Sequence, residues 1–240
     1  MRVLTGDTPT GNLHLGHWVG SVRRRVEMQD THECYFLIAN MHAFTTRADE
    51  PEAIRADCIE CVRDALAMGI DPSKCSILLQ TEVPAIAELT YLFSMLLPYN
   101  RVMRNPTLKD ELKVKGMEDN HSFGFPLYTV GQTADILAFR AHAVPVGEDQ
   151  VPHIELTREV ARRFNKMYCG VPGKAPDEEH ESLGGVFPLP LADVGRVGRL
   201  SGIDGVQKMS KSLGNAIYIR DTAKQVKKKI GRIYTGHDSR

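Results

Sequence analysis

Short runs that are apolar throughout alternate along the chain with longer stretches in which apolar residues recur at helical spacing. The first pattern predicts strands buried on both faces, the second the helices that cover them. Val3-Leu4, CYFLIAN (Cys34 to Asn40), CSILLQ (Cys75 to Gln80) and AVPVG (Ala143 to Gly147) are the strand candidates. A helix is expected after each one. These run from about His17 to Gln29, from Pro51 to a glycine stop at Gly69, from about Pro84 to Leu97 and from about Pro152 to Asn165. Such alternation predicts an α/β fold with a doubly wound parallel sheet. Sheets of this kind take ligands beyond the carboxyl ends of their strands. Four polar stretches fall at those ends: TGDTPTGNLHLGHWVG, MHAF, TEVP and GEDQ.

Two other stretches break the alternation. LPYNRVMRNPTLKDELKVKG, from Leu97 to Gly116, is polar and basic with a helical second half. It reads as an insertion near 97–120 suited to a dimer contact or to nucleic acid. Residues 170–188, rich in Gly, Pro and acid, read as a surface loop.

Composition narrows the picture. The 240 residues carry 30 basic and 30 acidic side chains, so contact with nucleic acid has to come from a local patch. KQVKKKIGR, from Lys224 to Arg232, is the clearest patch, and by itself it reads as a solvated helix face. No segment reaches the length of a membrane span and no signal-peptide core stands at the N-terminus. The five cysteines lack framework spacing, which points to a reducing, cytoplasmic setting. Cys58 and Cys61 form a C-x-x-C inside a helical pattern with no second pair, so they read as packed thiols, and no metal site is expected.

The chemistry starts after the first strand. Gly11, Gly16 and Gly20 permit close backbone approach, and the helix that follows aims free N–H groups at whatever sits there. His14 and His17, three apart, can both face that spot and bond phosphate oxygens. Taken alone, such a start is more often a plain tight turn. The second signal is KMSKS (Lys208 to Ser212), with Gly202 and Gly205 before it and Gly214 after it. Two lysines in a glycine-flanked loop suit charge that develops on a departing pyrophosphate.

HLGH after the first strand and KMSKS late in the chain together match the paired signatures of class I aminoacyl-tRNA synthetases. PTGNLHLGHWVGS, CYFLIANMHAFT, ADIL and VPVGEDQVPHIELTREVARRFN closely resemble the tryptophanyl-tRNA synthetase family, from Arg2 to about Ile233. The resemblance implies a Rossmann-like catalytic domain over 1–200. Residues 201–240 would then hold the KMSKS loop and the start of a C-terminal helical domain, truncated on the anticodon side. It also implies a homodimer that activates L-tryptophan with ATP and Mg²⁺ and passes it to tRNA(Trp). Catalysis would rest on His14, His17, Lys208 and Lys211. ATP would lie along Thr8, Pro9, Thr10, Gly16 and His17, with Gly147, Glu148 and Asp149 on the ribose side and the backbone near Leu200 at the adenine. Lys208, Met209, Ser210, Lys211 and Ser212 would close over the phosphates. Asp135 would accept the indole N–H, Tyr128 and Gln150 would hold the α-amino group, and His42, Gln132 and Gly6 would complete the pocket.

Two positions depart from the family pattern. Thr8 stands where glutamine is common, which would shift an ATP contact to Asp7 or water. Gln132 stands where methionine is common. Tyr128, Gln132 and Asp135 read Y-x-x-x-Q-x-x-D, a pattern shared with tyrosyl-tRNA synthetases, so tyrosine is the rival substrate. A paralogue that binds tryptophan without charging tRNA, and a smaller nucleotidylyltransferase, are the other readings.

Overall fold

The computed structural model describes residues 1–195, 200–207, 209–210 and 213–233. Among them, five strands form one parallel sheet: β1 (Arg2–Asp7), β2 (Glu33–Ile38), β3 (Cys75–Leu79), β4 (Ala143–Val146) and β5 (Leu191–Val194). Their spatial order is β3-β2-β1-β4-β5. β1 pairs with β2 from Arg2↔Glu33 to Asp7↔Ile38, and with β4 at Val3↔Ala143. The chain winds outward from β1 to β3, then returns to build β4 and β5 on the other side. The switch in direction lies between β1 and β4, where a doubly wound sheet opens a crevice at its carboxyl edge.

The four expected strands are present. The fifth, β5, is half-exposed and pairs with β4 alone, from Ala143↔Leu191 to Val146↔Val194. Its sequence LADV has no apolar run to announce it.

Pleating sends neighbouring side chains to opposite faces. Leu4 and Leu37 face one core with Ile86, Phe93, Ile136 and Leu156, which come from helices α5 (Pro84–Ser94), α8 (Gly124–Ala138) and α9 (Val151–Cys169). Val3, Phe36 and Ile38 face the other core, covered by α4 (Pro51–Ala67). Burial of each such side chain contributes about 1.5–3 kcal/mol, so both layers hold the sheet edge rigid.

The first helix begins earlier than expected. α1 (Leu15–His17) runs through a π-helical turn, Trp18–Val22, into α2 (Arg23–Met28). A short helix α3 (Asn40–Ala43) follows β2, taking over the end of the expected strand. Cys58 and Cys61 are buried in the α4 core as free thiols.

The basic stretch from Leu97 forms α6 (Tyr99–Met103) and α7 (Pro106–Val114). Val102, Leu108 and Leu112 pack into the main core. Residues 170–188 run mostly at the surface, pinned by buried Asn165, whose Nδ2 donates to Phe187 O at 2.7 Å. The lysine-rich patch forms α10 (Ala223–Ile230). Lys224, Lys227 and Lys228 are exposed there, whereas Lys229 turns inward to Ala216 O and Asp221.

Candidate active site

The stretch after β1 is held open by a set of hydrogen bonds. At the end of the strand, Arg25 grips Asp7 with two bonds of 2.6 and 3.0 Å. Arg25 is 5% exposed, so this pair sits almost dry. Asp7 is thus tied to the helix behind it, its side chain 21% exposed. Arg47 reaches Pro9 O and pairs with Asp57, fixing the loop that carries Thr8, Pro9 and Thr10. Thr8 and Thr10 are exposed and Pro9 is buried.

His14 caps α1. Its Nδ1 accepts from Gly16 N at 3.1 Å, and His17 Nδ1 accepts from His14 N at 3.1 Å. The ring centroids are 3.9 Å apart. A neutral imidazole that accepts at Nδ1 carries its proton on Nε2. Both rings therefore carry the proton on Nε2, at the N-terminus of α1.

The late segment folds back onto this place. An antiparallel bridge pairs His14 with Tyr218. Leu15 N donates to Ile217 O, and Ile219 N donates to Leu13 O. Buried Asp64 fastens the junction, accepting from Leu13 N at 2.9 Å and Arg220 Nε at 2.6 Å. A Cβ on Gly16 would lie 3.8 Å from Met209 Cβ and 2.8 Å from the His14 ring. Glycine leaves that approach open, and HLGH and Met209 meet there. Met209 N donates to Leu200 O at 2.9 Å. Asn215 accepts from Ser210 N and donates to Asp204. Lys208, Lys211 and Ser212 lie outside the described residues.

A second cluster lies at the ends of β2 and β3 and on α8. Asp135 is 4% exposed, and burial pushes its carboxyl up to about 7. Gln80, 1% exposed, donates from Nε2 to Asp135 Oδ1 at 2.7 Å and lies 3.2 Å from His42 Nε2. Its two amide hydrogens serve both acceptors. Its Oε1 accepts from Met41 N, which fixes the amide orientation. Burial lowers the His42 pKa to about 4. The 3.6 Å approach of His42 to Asp135 Oδ2 is therefore a neutral contact at pH 7. A Cβ on Gly131 would meet His42 Nε2 at 2.9 Å, so this glycine lets the imidazole close over α8. Asp135 Oδ2 remains the acceptor for a donor entering the pocket.

Farther along the same face of α8, Tyr128 donates to Glu111 Oε2 at 2.9 Å and lies 3.4 Å from His153 Nε2. Gln132 Nε2 donates to Gln150 Oε1 at 3.4 Å, and Gln150 donates to Asp149 Oδ2 at 3.0 Å. Gly147 cannot carry a side chain without striking Asp149 Oδ1, 2.8 Å from its would-be Cβ. Gly6 and Glu148 are exposed at strand ends. The structure thus places His42 against Asp135 and Tyr128 on α8, with Gln132 of the same helix bonded to Gln150, and His14, His17, Gly16 and Met209 together after β1. Gln80, Glu111 and His153 belong to the pocket and escaped the sequence reading. Gln80 had one signal, as a polar residue at the carboxyl end of an apolar run.

Asp135 sets a pH dependence. Its folded pKa lies above the ordinary 3.8, so between about pH 4 and 7 the folded state holds a proton that the unfolded state has lost. Its contribution to stability therefore falls as pH rises through that window. Asp135→Asn, which keeps an oxygen for Gln80, is expected to melt higher than the parent at pH 8. The gain would be on the order of a few kcal/mol at ~1.4 kcal/mol per pKa unit, vanishing near pH 4. Melting curves at the two pH values check this, and an equal shift at both would contradict it.

A doubly wound parallel sheet with a glycine-rich helix start and a buried carboxylate cluster at its carboxyl edge defines a protein of the Rossmann-like class. The sequence model of the tRNA synthetases class I (W and Y) matches residues 1–240, and the chain belongs to that family. It is 47% identical over 235 residues to the tryptophan–tRNA ligase of Clostridium longisporum, covering 97% of this chain and 65% of that protein. It is 45% identical over 239 residues to that of Chlamydia caviae, covering 98% and 65%. A crystal structure of the Campylobacter jejuni tryptophanyl-tRNA synthetase, complexed with ADP and tryptophan, superimposes with a TM-score of 0.84 at 35% identity. That match covers all of this chain and 69% of that one. The chain spans about two thirds of the length of these relatives.

Proposed function

We propose that the protein activates L-tryptophan with ATP, forming tryptophanyl-adenylate and pyrophosphate, and passes the aminoacyl group to tRNA(Trp). The observation that carries this reading is the buried Asp135–Gln80–His42 cluster opening beside the junction of HLGH and Met209. Asp135 Oδ2 accepts the indole N–H. A ligand without a donor there would leave a buried acceptor unpaired, at a cost of about 1–3 kcal/mol. Tyrosine brings a hydroxyl donor of its own, so ring shape has to exclude it. The names of the relatives favour tryptophan.

The tryptophan carboxylate attacks the α-phosphorus, and the bond to the bridging oxygen of pyrophosphate breaks. ATP would enter as its Mg²⁺ complex, in which the cation would offset phosphate charge. The protein contributes position and charge. His14 and His17 offer Nε2–H groups to the phosphates. Lys208 and Lys211 take up charge on the departing pyrophosphate with Met209, Ser210 and Ser212 around them. Gly147, Glu148 and Asp149 hold the ribose, and Leu200 backs the adenine. Residues 1–200 act as the catalytic domain and 201–240 open the helical, anticodon-side part. The working unit is a homodimer in the cytoplasm, with Leu97 to Gly116 at the contact.

Amino-acid-dependent ATP–pyrophosphate exchange tests the reading, with tryptophan and tyrosine run side by side. Exchange with tryptophan alone is expected. Exchange with tyrosine alone would hand the pocket to the rival substrate, and no exchange in protein that binds tryptophan would favour a non-charging paralogue.

A further inference from the structure

Glu111, on α7, lies outside every role assigned so far. Its Oε2 accepts from the Tyr128 hydroxyl at 2.9 Å. Among the described residues no ion pair to Glu111 is present, and Lys109 and Lys113 beside it on α7 are exposed to solvent. A phenol has a single proton to donate. With that proton directed at Glu111, Tyr128 can offer a pocket ligand only its lone pairs. Burial and the neighbouring carboxylate raise the phenol pKa, so the proton stays in place. The third group, His153, is held neutral by burial, its pKa lowered to about 4. Gln132 and Gln150 are uncharged amides. Asp149, the other carboxylate nearby, is exposed and takes a bond from Gln150.

This end of the pocket therefore presents acceptors backed by one negative charge. A ligand nitrogen that donates to the Tyr128 oxygen must lie within about 6 Å of Glu111 Oε2, the sum of two hydrogen-bond lengths. At that range an opposite charge is strongly preferred.

We propose that Glu111 is the counter-charge for the ligand's ammonium group, which makes the pocket select amines over carboxylates that lack the amine. The inference rests on the amino-acid reading of the pocket and adds a specificity residue to it. Tyr128 acts as relay, accepting from the ammonium while donating to the carboxylate.

Calorimetric titrations of the parent and of Glu111→Gln test this. The variant keeps an oxygen for Tyr128 and nearly the same shape. Three probes separate the terms: L-tryptophan, tryptamine (ammonium without carboxylate) and indole-3-propionate (carboxylate without ammonium). The expected result is a loss of about tenfold or more for the two amines in Glu111→Gln, with indole-3-propionate unchanged or tighter. Glu111→Asp should restore part of the preference. Equal losses for all three probes, or no loss for any, would overturn the proposal while leaving the amino-acid pocket intact. Folded parent protein that binds neither amine would overturn the pocket reading and this inference together.

Discussion

Asp135→Ala is expected to raise the tryptophan Kd by about ten- to a hundredfold while leaving ATP binding close to the parent value. The carboxylate accepts from Gln80 on one oxygen and leaves the other for the ring N–H. Its removal costs the ligand one hydrogen bond to a charged group, worth about 1.5–3 kcal/mol, and 1.4 kcal/mol is tenfold in affinity. The rest of the pocket has reason to hold its shape. Gln80 stays tied to Met41 N through Oε1 and near His42 through Nε2, and Gly131 keeps His42 against α8. Calorimetry with tryptophan measures the effect directly, and an unchanged Kd would remove Asp135 from the pocket. The same titration run from pH 8 to pH 6 should weaken in the parent, because the carboxyl takes up a proton near 7 and a protonated acid is the poorer acceptor.

Lys211→Ala is expected to slow adenylate formation by about 10²–10³-fold, the scale seen when one preorganised charge-stabilising group is removed. Tryptophan affinity should hardly move. A lysine that meets pyrophosphate only as it departs lowers the barrier without tightening the ground state, so kcat falls and KM stays. Met209 sits against Gly16, and Asn215 and Asp204 brace the returning chain. A single-turnover measurement of adenylate formation, set beside the tryptophan Kd, separates the two effects. Equal loss in both would count against a role at the pyrophosphate.

Elements with a strong local pattern were legible in the sequence. β1 to β4 are apolar because both faces of a central parallel strand are covered, and that leaves a run without alternation. α9 is amphipathic and stops at Gly170, whose φ of 73° suits a residue without a side chain. Elements without such a pattern were missed. α8 is buried on most of its surface, from Phe125 to Leu137, so it shows no polar stripe to mark its period. β5 has four residues and an exposed outer face. The stretch from Leu97 looked like an insertion because its charged residues dominate. Its few apolar residues, Val102, Leu108 and Leu112, nonetheless fasten it to the main core.

The sequence by itself determined the chemistry on offer: a glycine-rich turn with two imidazoles, a lysine-bearing loop, and a Tyr, Gln and Asp at a spacing that shares one face wherever the segment is helical. Residue types and short spacings carry that information, because a turn or a helix face is decided within a few residues. Only the tertiary structure decided which of these groups meet. Gln80 reaches Asp135 across 55 positions, and Arg220 reaches Asp64 across 156. The raised carboxyl of Asp135 and the neutral His42 are properties of burial, which no short window contains. Glu111 reads as one more charge on a solvated helix until α7 packs on α9 and its carboxylate meets the Tyr128 hydroxyl of α8. Long-range packing fixes distance and dielectric, and those two quantities decide what a side chain can do.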